Sequence, residues 1–179
     1  LTKQLEAGDF VPVAYEMRFE NGKIDRVDLC KDKDKVYVKV LDYKTGSKAF
    51  DVVALYHGLQ LQLMVYMDAA VKMTQKHYPD SEVIPAGVFY YRLNDPLVEK
   101  KVVGEEEEIW QKVLKELKVD GVMNLKDETL EHLDHCQVGE SAVIPVKYNK
   151  NGSLSKNSKV ASEQEFEVMM RHALGKVLK

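Results

Sequence analysis

The sequence predicts a mixed α/β domain, with a central sheet flanked by helices. Two observations carry that expectation. Between Val11 and Tyr43 lie three segments of strand character separated by turn signals. Beyond them the apolar period changes to helical, then to a continuous apolar run, VIPAGVFYYRL, and then to helical again.

Val11 to Phe19 alternates loosely and reads as a first strand. Asn21-Gly22 is a strong turn signal, and a second strand is expected from Lys23 to Cys30. The alternating run Lys31-Asp32-Lys33-Asp34-Lys35 reads as a solvated turn. Val36 to Tyr43, rich in β-branched residues, is the third strand of a meander.

After the loop Thr45-Gly46-Ser47, a long helix is expected from Leu55 to Met73, capped by Asp51. Its apolar stripe includes Leu59, Leu63, Tyr66 and Ala70, and it should end before Pro79. Val83 to Leu93 is apolar throughout, which suits a central strand. Glu105 to Leu117 reads as a helix whose glutamates complement the dipole of its first turn. Asp127 to Leu133 is expected to be a short helix and Val143 to Tyr148 a strand. Asn149 to Lys159 reads as a polar, mobile loop. Ser162 to Leu178 closes the chain as an amphipathic helix, with Ser162 and Glu165 as a capping box.

The 179 residues suit one domain spanning 1–179, and 45% hydrophobic residues suffice for one substantial core. The chain opens with Leu1 and reads as a piece of something longer. No stretch is apolar enough to cross a bilayer, so no membrane partner is expected. The two cysteines, Cys30 and Cys136, show no CxxC spacing, and a reduced, cytoplasmic setting is the simpler reading. The net charge of −3 is the wrong sign for broad binding to a nucleic-acid backbone. Any DNA contact must be local, metal-assisted or shared with a partner.

Three segments carry the chemistry. Gly22-Lys23-Ile24-Asp25-Arg26-Val27-Asp28 lies on the second strand, and Val40-Leu41-Asp42-Tyr43-Lys44-Thr45-Gly46 ends the third. Gln60-Leu61-Gln62-Leu63-Met64-Val65-Tyr66 lies on the helix that follows. Asp42 and Lys44, two apart on a strand, leave the same face, and a neighbouring strand can bring Asp25 beside them. Two carboxylates beside a lysine suit a hard cation such as magnesium, Mg2+. A cation there polarises a phosphoryl oxygen and acidifies an attacking water, while Lys44 offsets charge building on the phosphate. Phosphodiester hydrolysis needs these parts. Gln62 and Tyr66, four apart, share one helix face and can orient Lys44 or the substrate backbone. Each feature alone has a plainer reading: a surface ion pair for Asp42 and Lys44, a strand-end pair for Asp25 and Arg26, and helix packing for Gln62 and Tyr66. Their order and spacing together point to a site.

Those three segments resemble the second, third and fourth nuclease motifs of the AddB/RexB-type B subunit of ATP-dependent helicase/deoxyribonucleases, in the RecB-like branch of the PD-(D/E)xK superfamily. The resemblance is strongest from Gly22 to Ala70. It implies a restriction-endonuclease-like α/β core and an exonuclease using Mg2+ or Mn2+. Asp25 and Asp42 would ligate the metal, joined by the backbone carbonyl of Tyr43. Lys44 would be the catalytic lysine, with Gln62 and Tyr66 as the helix motif. The implied partners are DNA and an AddA/RexA-type helicase-nuclease subunit, in double-strand break repair and recombination.

The chain also departs from that family. Its first nuclease motif, on a helix before the first strand, has no match here. Glu6 or Glu16 is a conceivable substitute, although Glu16 reads more simply as a solvent-facing strand residue. The family's iron–sulfur cluster uses four cysteines, and neither Cys30 nor Cys136 has their spacing, so no cluster is expected in this chain. His57 reads as a packed or capping histidine rather than a ligand. His132 and His135, in HLDHC, read as surface residues, because a zinc site needs more ligands. Glu105 to Glu108 read as a solvated helix start, and Lys147, Lys150, Lys156 and Lys159 as a solvated loop able to touch phosphates weakly. Two rival readings use the same fold: a catalytically inactive module that binds DNA or docks the helicase subunit, and a stand-alone RecB-like or CRISPR-associated exonuclease.

Overall fold

A computed structural model of the chain describes residues 5–20, 22–46, 49–93, 113, 117–126 and 128–177. The three amino-terminal strands form the expected meander: β1 (Val11–Phe19), β2 (Gly22–Asp32) and β3 (Lys35–Lys44). β1 and β2 pair antiparallel, with Phe19 opposite Gly22 across the turn. β2 and β3 pair antiparallel through Arg26–Leu41 to Asp32–Lys35.

The long helix expected after β3 is instead two helices, α1 (Val52–Tyr56) and α2 (Gln62–His77). The break falls at Gly58, whose φ of +82° lies in the left-handed region that favours glycine. Asp51 caps α1 as expected, its Oδ1 accepting the Val53 amide at 2.8 Å. The new amino-terminus of α2 begins at Gln62, which decides where the motif side chains stand.

β4 (Glu82–Arg92) lies parallel to β3, with Asp42 opposite Tyr90 and Lys44 opposite Arg92. It is central, as its apolar run predicts. Two further strands, β5 (Asp120–Asn124) and β6 (Val160–Ala161), extend a six-stranded mixed sheet of order β1-β2-β3-β4-β5-β6. Neither has a strong sequence signal, because β6 is two residues long and β5 begins DG. Gly121 is required there: a Cβ would stand 1.9 Å from the Val88 carbonyl oxygen on β4.

The short helix α3 (Thr129–Leu133) agrees with expectation, as does α4 (Glu163–Val177) with its capping box. Glu165 Oε2 accepts the Ser162 amide at 2.8 Å, and Ser162 Oγ accepts the Glu165 amide at 3.3 Å. The expected strand Val143–Tyr148 does not form. Pro145 has no amide to donate, and Ser141 Oγ captures the amides of Val143 and Ile144 at 3.1 and 3.0 Å. The loop after it is laced by its own hydrogen bonds, among them Asn149 N to Ser153 O at 2.8 Å. The helix expected over Glu105–Leu117, with its acidic run, lies outside the described residues except Val113 and Leu117.

The sheet separates two cores. On one side Val36, Val38 and Val40 of β3 pack with Leu63, Met64 and Met67 of α2 and Phe166 of α4. On the other, Tyr37, Leu41, Phe89 and Met123 pack with Leu133 and Ile144. β3 is therefore buried on both faces, and Asp42 continues the Val36–Val38–Val40 face toward α2. The opposite face carries a fully buried charge group: Arg26 Nε stands 2.6 Å and Lys39 Nζ 2.9 Å from the Asp28 carboxylate. No described helix is long and apolar enough to cross a membrane.

Candidate active site

Where β3 leaves the sheet, the pleat sends Asp42 and Lys44 to one face, and the β2–β3 register sets Asp25 beside them. Asp25 stands one position past the Arg26–Leu41 pair, and its Oδ2 accepts the backbone amide of Tyr43 at 2.8 Å. Lys44 Nζ lies 2.5 Å from Asp42 Oδ2 and donates to Gln62 Oε1 at 3.1 Å. Gln62 Nε2 in turn donates to the Tyr66 hydroxyl at 2.5 Å. The five side chains named from the sequence thus stand in one connected group, drawn from β2, β3 and α2. The Tyr43 carbonyl lies on the strand between Asp42 and Lys44, and its amide is the group bound by Asp25.

Asp42 is 3% exposed. Burial pushes its carboxyl above the usual carboxylate range. Lys44 pulls it back down, and the charge of Asp25 adds to the rise. Its Oδ2 is buried, and the ion pair with Lys44 is its main compensation. A desolvated carboxylate beside a second carboxylate is a strong attractor for a cation. The available donors are carboxylate oxygens and a backbone carbonyl, which suit a hard divalent ion.

Two supporting residues were not singled out from the sequence. Tyr90 on β4 is paired in register with Asp42 and packs beneath Lys44, whose Nζ is 5.5 Å from its ring centroid. Burial first, and then the charge of Asp42, push its phenol up to about 12, so it stays protonated. Only the parallel register with β4 reveals it. Gln60 is buried, accepts the Asp51 amide at 2.9 Å and donates to the Ala49 carbonyl at 2.9 Å. It fastens the connection leaving β3. Its signal was its place in the GLQLQ segment. Phe19 meets the Tyr66 ring edge-on at 5.6 Å and steadies the far end of the group.

The remaining candidates stand elsewhere. Glu16 is exposed and paired with Lys23 at 2.8 Å, the simpler reading of that residue. Glu6 is exposed. His57 closes α1, exposed, with its ring edge-on to Tyr56. Lys147, Lys150 and Lys156 are exposed, but Lys159 is tied to the Asp120 carboxylate. The expectation that His132 is a surface residue is corrected. Its side chain is 14% exposed and packs on Tyr37, with ring centroids 4.7 Å apart. Cys30 is a buried free thiol pushed up to about 11 by burial, and Cys136 is an exposed free thiol.

Comparison with known proteins decides the family. The model of the PD-(D/E)XK nuclease superfamily matches residues 1–143. The chain belongs to that superfamily. This PD-(D/E)XK domain is 43% identical over 182 residues to the ATP-dependent helicase/deoxyribonuclease B subunit of Lachnoclostridium phytofermentans, covering 92% of this chain and 15% of that protein. The B subunit of Alkaliphilus oremlandii is 34% identical over 99% of this chain and 17% of its own length. That of Clostridium novyi is 33% identical over 100% of this chain and 17% of its own length. The domain therefore spans under a fifth of the curated relatives it matches. The six-stranded mixed sheet, with the four helices described around it, is the core of a PD-(D/E)XK nuclease.

Proposed function

We propose that this PD-(D/E)XK domain hydrolyses DNA phosphodiester bonds as the exonuclease centre of a bacterial helicase–nuclease acting in double-strand break repair and recombination. The observation that carries this reading is the convergence of Asp25, Asp42, Lys44 and Gln62 at one end of the sheet. Asp25, Asp42 and the Tyr43 carbonyl would hold Mg2+ or Mn2+. The bound ion supplies a polarised phosphoryl oxygen and a more acidic water.

The chain's own residues do the rest. Asp25 locks the backbone of Tyr43 and thereby the direction in which Asp42 and Lys44 leave β3. Lys44 is held between Asp42 and Gln62, where its ammonium can orient the attacking water or neutralise charge growing on the phosphate. Gln62 and Tyr66 form a relay that limits the rotamers open to Lys44. Tyr90 and the buried strand beneath exclude water from that side, which strengthens each electrostatic contact.

The relatives' name, helicase/deoxyribonuclease B subunit, supports DNA as substrate and an AddA/RexA-type helicase as partner. A cytoplasmic setting follows from that substrate. With a net charge of −3, DNA is held by the site and by the partner rather than by a broad basic face.

The test is calorimetric titration of Mg2+ and Mn2+ into the chain and into Asp42→Ala, with a single-stranded DNA cleavage assay alongside. Metal binding and metal-dependent cleavage that both vanish in the variant are expected. A chain that binds neither ion is a docking module instead.

A further inference from the structure

We propose that Asp32, Glu128 and His132 form a second divalent-metal site, one for a transition ion such as zinc, at the opposite end of the sheet from Lys44. His132 lies on α3 and its Nδ1 stands 2.8 Å from Asp9 Oδ2. A carboxylate can only accept, so Nδ1 carries the hydrogen and Nε2 presents its lone pair. That Nε2 is buried and makes no hydrogen bond among the described residues. It faces Asp32 Oδ2 at 3.8 Å. A lone pair aimed at a carboxylate oxygen is repulsive unless a positive charge stands between them.

A third ligand is in reach. One ligand atom each from Asp32, Glu128 and His132 lies within 4.8 Å of the others. Ligands at zinc distances across a tetrahedral centre stand about 3.4 Å apart. Closing the difference takes a side-chain rotation of Glu128, which is exposed. Asp9 completes the arrangement from outside. It fixes the His132 ring through Nδ1 and is held in turn by His135 Nε2 at 2.9 Å. A carboxylate behind the distal ring nitrogen of a ligating histidine sets the tautomer and raises ligand basicity.

The donor set differs from that of the proposed nuclease site. One imidazole with two carboxylates and an open position suits zinc, cobalt or nickel, whereas oxygen ligands alone suit magnesium. The two sites are also well separated. Asp32 pairs with Lys35 at the start of β3, seven residues before Asp42. At about 3.3 Å per residue that is roughly 23 Å. This inference does not depend on the nuclease reading.

The experiment is calorimetric titration of Zn2+ into the chain carrying Asp42→Ala, which disables the other site. One equivalent is expected to bind. Asp9→Asn should weaken it about 10- to 100-fold, and Asp32→Asn and His132→Ala should abolish it. Cobalt in place of zinc should give a visible absorption band that Asp32→Asn removes. Asp32 is a partly exposed strand-end residue, so this variant decides the matter even if His132→Ala unfolds. A chain that binds no zinc, or binds it equally with Asp32→Asn, overturns the proposal.

Discussion

The backbone amide of Tyr43 donates to the carboxylate of Asp25 at 2.8 Å, joining β2 to β3 where Asp42 and Lys44 turn out of the sheet. One aspartate thus has two uses: it supplies an oxygen to the candidate metal site, and it aims the strand that carries the other groups. Asp25→Ala should therefore lose metal affinity and lower cleavage about 10³-fold, near the upper end for loss of one charge-stabilising group. Asp25→Asn keeps an acceptor for the Tyr43 amide and should retain the fold while losing cleavage. Circular dichroism with a metal-dependent single-strand cleavage assay checks both.

Lys44 separates binding from chemistry. Lys44→Ala should reduce cleavage about 10²- to 10³-fold while Mg2+ and Mn2+ still bind, because the carboxylates remain. Calorimetry on the variant, beside its kcat, is the measurement. Loss of metal binding together with cleavage would show that Lys44 only holds Asp42 in place.

Gln62 acts through Lys44. Gln62→Ala removes the acceptor at 3.1 Å and frees the ammonium to rotate. Cleavage should fall about tenfold, in kcat rather than KM, since positioning rather than substrate binding is lost. Tyr66→Phe, which removes only the far end of the relay, should have a smaller effect in the same direction.

Asp42 should trade stability for function. Its carboxyl is raised above the ordinary value of 3.8, with burial as the largest cause. A raised folded-state value means the associated stability is present below 3.8 and is lost as pH rises through the raised value. At neutral pH, without metal, Asp42→Asn should therefore melt higher than the parent, by about 2–4 °C if the gain is about 1 kcal/mol. The gap should close below the ordinary carboxylate range, and divalent metal should raise the parent alone. Thermal melts across pH, with and without Mg2+, report all three.

Two structural variants check the frame. Asp28→Ala strands the buried Arg26 and Lys39 cations and should destabilise the domain by about 3–5 kcal/mol in urea unfolding. Gly58→Ala meets no atom within 4 Å but must adopt a φ of +82°, so its cost of about 1 kcal/mol is purely conformational.

Much of this was legible in the residues. The three strands of the meander, the central apolar strand and the closing helix follow from local period and turn chemistry, which act over a few residues. The five site residues were legible because each lies in a short segment whose own periodicity orients it. Asp42 and Lys44 share a strand face, and Gln62 and Tyr66 share a helix face.

What the sequence alone determined was therefore which side chains can act together along each element. The tertiary structure decided how the elements meet. It broke the long helix at Gly58 so that α2 starts at Gln62, and it set Tyr90 beside Asp42 through the parallel β3–β4 register. It formed β5 and β6, which are short strands stabilised by their neighbours rather than by propensity. It also carried Asp9 across 123 residues to His132. No local pattern encodes such contacts, because they arise only when the whole chain buries its apolar faces on both sides of one sheet.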